Sequence, residues 1–411
     1  MKLWALCFGF GVLLSCSAAS ETRTAGHRAT DSTASSSGAR SPQPTQNPAK
    51  ADEEPPVDFQ DAPGGRSSDC SSQAHDADFD HDGWSAAQGD CNDCEPTINP
   101  GALDYPDNKI DEDCDGTADD SPALCDGNLL LDSVDGLDAA RAIGLCQMQQ
   151  GERWGVVSSE YVTSDGLPLA NFDAAGIGHG LLRGFGDKVK PLEGERMMAL
   201  SSGAARNPTD PGYESVGGDD KKYTTSAPAG YPKESPACPG TKTGQAHDSV
   251  GLKVRLRTPS NAKSLRFNLD FYTYEFPIFV CSSYNDFFVA LLDPIPKGQP
   301  DGNISFDDQG NTISVNATFL QVCKAQTTTK GRYYPCEKGA DELLGTGFEL
   351  SAATGWLQTA APIEKPGSEI TLLLTVWDSG DGILDSTVLI DNFTFEPAET
   401  KTETQPVKQP H

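Results

Sequence analysis

The sequence predicts a mainly β protein. The expected architecture is an antiparallel, jelly-roll-like β-sandwich, preceded by a small irregular module and a long polar leader. Three observations carry this. In the C-terminal half, apolar residues alternate with polar ones in several runs, which is the period of a half-buried strand. Clusters of Gly, Pro, Asn and Asp separate those runs, as turns between antiparallel strands require. Residues 76 to 120 instead hold thirteen aspartates against the single basic residue Lys109, with few apolar side chains. Such a segment needs cross-links, metal or both in order to fold.

In chain order the expected units are a signal peptide (1–15), a disordered tether (16–69), an acidic metal-binding module (70–122), the sandwich (123–397) and a disordered tail (398–411). Lys2 precedes a short apolar run from Leu3 to Leu14, which reads as an export signal and is too short to span a bilayer. The run ends in Leu13-Leu14-Ser15-Cys16, which resembles a bacterial lipobox. That resemblance implies cleavage before Cys16, lipidation there and attachment to a membrane. By the sorting pattern of Gram-negative lipoproteins, Ser17 in place of aspartate implies the outer membrane if the chain comes from such a cell. The tether is rich in Ser, Thr, Ala, Pro and Gly and buries too little to offset chain entropy.

The 411-residue chain has 60 acidic and 31 basic residues and a net charge of −29. Nucleic acid and anionic surfaces repel such a chain, so no nucleic-acid partner is expected and cations are its natural small ligands. Of twelve cysteines, Cys7 lies in the signal and Cys16 in the lipobox, which leaves an even ten in an oxidising compartment. Cys91, Cys114, Cys125, Cys146, Cys323 and Cys336 are the disulfide candidates. The Cys91-x-x-Cys94 spacing has no second pair to complete a zinc site.

In the acidic module, Asp78, Asp80 and Asp82 followed by Gly83 fit D-x-D-x-D-G. Alternate side chains of an extended loop can converge on one cation, and the glycine permits the turn that brings later ligands round. The pattern recurs as Asp111, Asp113, Asp115 and Gly116, with Asp90, Asn92, Asp93 and Asp107 between the two as further candidate ligands. The first copy is not an EF-hand, because Gly89 stands where the loop needs its closing Glu. The plain alternative is a solvated acidic loop. It is disfavoured because like charges two residues apart repel unless a cation neutralises them. Oxygen donors favour calcium over copper. Only His75 and His81 could offer imidazole, and His81 reads as a spacer.

The stretch "DFDHDGW…GDCNDCEPTINPGALDYPDNKIDEDCDG" resembles the metal-binding motif of secreted bacterial proteins grouped with copper-binding MopE. It departs from that frame at Asn92, where Asp is usual, and in the additional Cys94. The family name implies copper as the alternative metal.

Further along, Asp135 to Cys146 reads as one helix, with Leu137, Ala140, Ile143 and Leu145 at helical spacing. Strands are expected over Val250–Leu256, Leu265–Phe271, Asp286–Asp293, Ile370–Val376 and Asp385–Phe395. Residues 201–245 and 294–311 read as long loops. "LRFNLDFYTYEFPIFVCSSYNDFFVALLD" with the later "LLLTVWDSGDGILDSTVLIDNF" resembles the choice-of-anchor L domain over residues 130–396. That resemblance implies a surface-exposed sandwich. Glu275, Asn285 and Asp286 beside one strand pair, with Asp378, Asp381 and Asp385 in a Gly-containing turn, are candidates for a second metal site. The competing reading is ordinary turn chemistry.

No histidine sits in a recognisable catalytic motif, so an enzyme is not expected. The function that fits is a lipid-tethered envelope protein whose calcium-stabilised module supports a sandwich that binds a polysaccharide or surface-protein ligand. The first alternative is a copper-handling surface protein. The second is a carbohydrate-active enzyme using Glu275 with Asp378 or Asp385 as a carboxylate pair.

Overall fold

The computed structural model describes residues 75–120, 122–169, 176–218 and 221–407. The signal peptide, Cys16 and the tether lie outside these residues. Among the described residues, no helix is long and apolar enough to cross a membrane.

The strands are β1 Gly155–Val162, β2 His179–Leu182, β3 Met197–Ser201, β4 Thr224–Thr225, β5 Ala246–Arg257, β6 Ser264–Thr273, β7 Phe287–Asp293 and β8 Ile313–Ser314. They continue as β9 Gln326–Thr327, β10 Tyr333–Tyr334, β11 Ala352–Ala353, β12 Leu357–Pro362, β13 Glu369–Ser379, β14 Ser386–Glu396 and β15 Glu403–Pro406. One sheet runs β1-β5-β13-β7-β8 with β4 on β5, and the other runs β15-β12-β6-β14-β3-β2 with β11 on β6. Neighbouring strands are antiparallel. The sheets form the expected sandwich and do not close into a barrel.

The alternation in the sequence becomes the core. Val250, Leu252, Val254 and Leu256 of β5 and Ile370, Leu372, Leu374 and Val376 of β13 share one cluster with Leu265, Phe267, Leu269 and Phe271 of β6. Their polar neighbours Lys253 and Arg255 face outward and pair with Glu160 and Glu369.

A second cluster covers the other face of the β6-β14-β3 sheet, where Phe185, Leu343, Phe348 and Trp356 pack against Met197, Tyr272 and Leu389. That cover explains why all five residues of β3 are buried and why its sequence shows no period of two. It also places Asp391 of "LIDNF" in the interior, where its carboxylate accepts from the backbone N–H groups of Leu192 and Asn392 at 2.5 and 2.7 Å.

Two expectations change. The helix, α1, spans only Gly136–Ala142, with Asp135 capping it by accepting from the Leu137 N–H. Gly144, at φ 96°, turns the chain immediately afterwards. The polar tail is ordered at 403–406, where β15 pairs with the edge of β12 and buries Thr404. Backbone pairing needs no apolar side chain, so composition gave no sign of it.

All six candidate cysteines are bonded, as Cys91–Cys114, Cys125–Cys146 and Cys323–Cys336. Cys238–Cys281 is a further bond, and Cys94 is disulfide-bonded as well.

Candidate metal centres

The two D-x-D-x-D-G loops have the same local geometry. Asp78 accepts from the Gly83 N–H at 3.0 Å, and Asp111 accepts from the Gly116 N–H at 2.9 Å. Asp82 accepts from Trp84 and Asp115 from Thr117, both at 2.8 Å. His81 and Cys114 occupy the same position in the two loops and both have positive φ, 66° and 58°, while Gly83 and Gly116 sit at 99° and 98°. The duplication in sequence is therefore a duplication in backbone.

The Cys91–Cys114 bond ties the segment after the first loop into the second loop. Asp93 accepts from the Phe79 N–H at 2.7 Å, which folds the later acids back over the first loop.

These contacts bring carboxylates together. Oxygens of Asp78, Asp80 and Asp93 lie within 4.8 Å of one another, as do those of Asp80, Asp82 and Asp90 and those of Asp111, Asp113 and Asp115. Asp80 belongs to two of the groups. Its Oδ2 and the Oδ2 of Asp90 are buried without a hydrogen-bond partner. Burial, with neighbouring aspartates adding to it, pushes Asp82 and Asp113 up to about 6 and Asp90 up to about 7.

A hard divalent cation fits this arrangement. Each centre offers clustered oxygen donors, the first has two unpartnered oxygens, and among the described residues no ion pair reaches these carboxylates. Copper fits poorly, since His75 and His81 are both exposed and neither is in an acidic group.

One of the expected ligands stands elsewhere, and another has its backbone engaged in a turn. Asp107 is exposed and outside every group. Asn92 shapes the turn, because its backbone N–H donates to Asp90 and its carbonyl accepts from Cys94 and Glu95.

Asn99, Asp104 and Glu112 are buried residues that sequence reasoning passed over as functional groups. Asn99 donates to Asp82 at 2.8 Å and accepts from Ser260 at 2.7 Å, so it links the first loop to the β5–β6 turn. Asn261 of that turn exchanges two hydrogen bonds with the backbone of Leu103. Asp104 accepts from the N–H groups of Glu112 and Asp120 and holds the second loop. The available signal was N-P-G-A-L-D itself, a polar segment that interrupts the aspartate run.

Six candidates were expected in the sandwich, and three of them meet. Glu275, Asp286 and Asp378 have carboxylate oxygens within 4.8 Å of one another, and all three are buried. Asn285 is buried beside them and accepts from the Asn316 N–H. Asp381 is exposed and caps its own turn by accepting from the Ile383 N–H. Asp385 lies apart, with its carboxylate directly over Gly203, where a Cβ would fall 1.7 Å from its Oδ2. Burial raises Asp385 to about 7, against the opposing pull of Lys221.

Residues 90–120 match the Cu-binding MopE family, described as "Putative metal-binding motif". No curated protein and no solved structure shows a match to the chain. The matched segment contains the second loop, Asp90 and Asp93, and both cysteines of the bond that joins the loops. The protein thus carries a metal-binding motif of this type at the front of a β-sandwich.

Proposed function

We propose that this chain is an exported, lipid-anchored envelope protein in which calcium folds the acidic module onto the β-sandwich that it precedes. The observation that carries the reading is the duplicated loop. Two copies share one backbone geometry, are tied together by Cys91–Cys114, and leave Asp80 Oδ2 and Asp90 Oδ2 buried without partners. An ion there neutralises the clustered carboxylates, so binding and folding of the module are coupled. The ion acts on shape; the aspartates hold backbone turns and perform no reaction.

Export and lipidation at Cys16 rest on the lipobox resemblance. The choice-of-anchor L resemblance adds a surface-exposed sandwich whose loops face a polysaccharide or protein ligand. Glycan-array binding with the full chain tests that part. The alternative with a specific observation behind it is copper handling, which the family match favours by name. Metal analysis of the purified protein, followed by calorimetric titration of the metal-free chain, separates the two. Bound calcium that is lost to chelator and regained on addition supports the reading. Stoichiometric copper without calcium reverses it.

A further inference from the structure

We propose that Glu275, Asp286 and Asp378 form a second cation site, buried inside the sandwich and distinct from the acidic module, that takes a hard divalent ion of the calcium class. The three carboxylates come from separate segments. Glu275 follows β6, Asp286 precedes β7 and Asp378 lies near the end of β13. Each is at most 1% exposed, and their oxygens approach within 4.8 Å. The pairing of β13 with β5 shifts register between Val376 and Asp378, and a bulge of this kind re-aims the side chain that follows it.

Asp286 is held in place, accepting from the Ser386 hydroxyl at 2.5 Å and from the Ser379 N–H at 3.4 Å. The other two are not satisfied. Glu275 Oε2 and Asp378 Oδ1 are buried and have no hydrogen-bond partner. Among the described residues, no ion pair reaches any of the three.

Three buried carboxylates without a counter-charge cannot all remain ionised, because each loses its hydration and repels the others. Either protons or a cation must compensate. Protons would neutralise the charge, each as a carboxyl O–H that can donate to one neighbouring oxygen, whereas a cation can take oxygens from all three carboxylates. All the donors are hard oxygens, which suits an ion of this class. The site is closed from solvent, which suits an ion and leaves no groove for a sugar polymer. That geometry also argues against Glu275 and Asp378 as a glycosidase pair.

The test is metal counting on the full chain after equilibrium dialysis against calcium near neutral pH. Three proteins are compared: the wild type, a sandwich variant (Glu275→Gln with Asp378→Asn) and a module variant (Asp80→Asn with Asp113→Asn). The sandwich variant is expected to carry about one calcium fewer than wild type, and the module variant to retain about one. Adding Glu275→Gln to the module variant should remove that ion. Calcium content in the sandwich variant equal to wild type overturns the proposal. If that variant fails to fold, the module variant decides alone, and its binding no calcium overturns the proposal too. Failure of the module reading looks different: wild type and module variant then carry equal calcium.

Discussion

Asp80 stands in two of the three acidic groups of the module and keeps one oxygen buried and unpaired. Asp80→Asn is therefore expected to weaken calcium binding at least about tenfold, the size that a lost supporting contact at a metal site already has. The exposed Asp107→Asn should leave it unchanged, and calorimetric titration of both variants checks the contrast. The raised carboxyls make a second prediction. Asp82, Asp90 and Asp113 titrate higher in the folded chain than in the unfolded one, where aspartate sits at about 4. The folded state thus binds more protons between about pH 4 and pH 7, and stability falls as pH rises through that window. Buried Asp391, pushed up to about 7, adds to the same slope. Melting temperature in chelator should fall from pH 4 to pH 7, and calcium should reduce the slope because it competes with the protons. Much of this was legible from spacing alone, since alternate aspartates before a glycine leave few conformations open. Spacing could not separate Asp378 from Asp385, which lie near one turn and face different neighbours. It could not reveal Asn99 as a link either, because its partner Ser260 is far away in sequence.

The acidic module is held to the sandwich by a few polar contacts at the β5–β6 turn. Asn261→Ala would leave the Leu103 N–H and carbonyl without their partners, at a cost of about 1–3 kcal/mol. A lower urea midpoint with an unchanged slope is the expected readout. Opening the Cys91–Cys114 bond with Cys91→Ala and Cys114→Ala releases a loop with a sequence separation of 23. It should cost roughly 3 kcal/mol by the loop-entropy relation and weaken calcium binding too, because the loops are no longer tied together. Removing β15 by ending the chain before Glu403 uncovers the edge of β12. Self-association on a sizing column is the expected result, as an unpaired strand edge is a template for another chain. The central strands were readable because each has one face in the shared core. β2 and β3 escaped notice because they are short and buried throughout, so no alternation marks them. β15 escaped because its stability comes from backbone pairing.

For the molecule as a whole, two means of support act side by side. The sandwich has a large apolar core and folds by burial. The module has almost no core of its own and is held by disulfides and by hydrogen bonds between carboxylates and backbone, with the proposed ion as the further support its clustered charge calls for. The composition already showed this division, since residues 76 to 120 differ so sharply from those after 125. The central claim is that calcium is part of the fold. The most direct measurement is thermal unfolding of the full-length protein, followed by circular dichroism, in EDTA and again after calcium is restored in excess. A melting temperature that drops in EDTA and returns with calcium is the predicted result. The same melting curve in both conditions would contradict it.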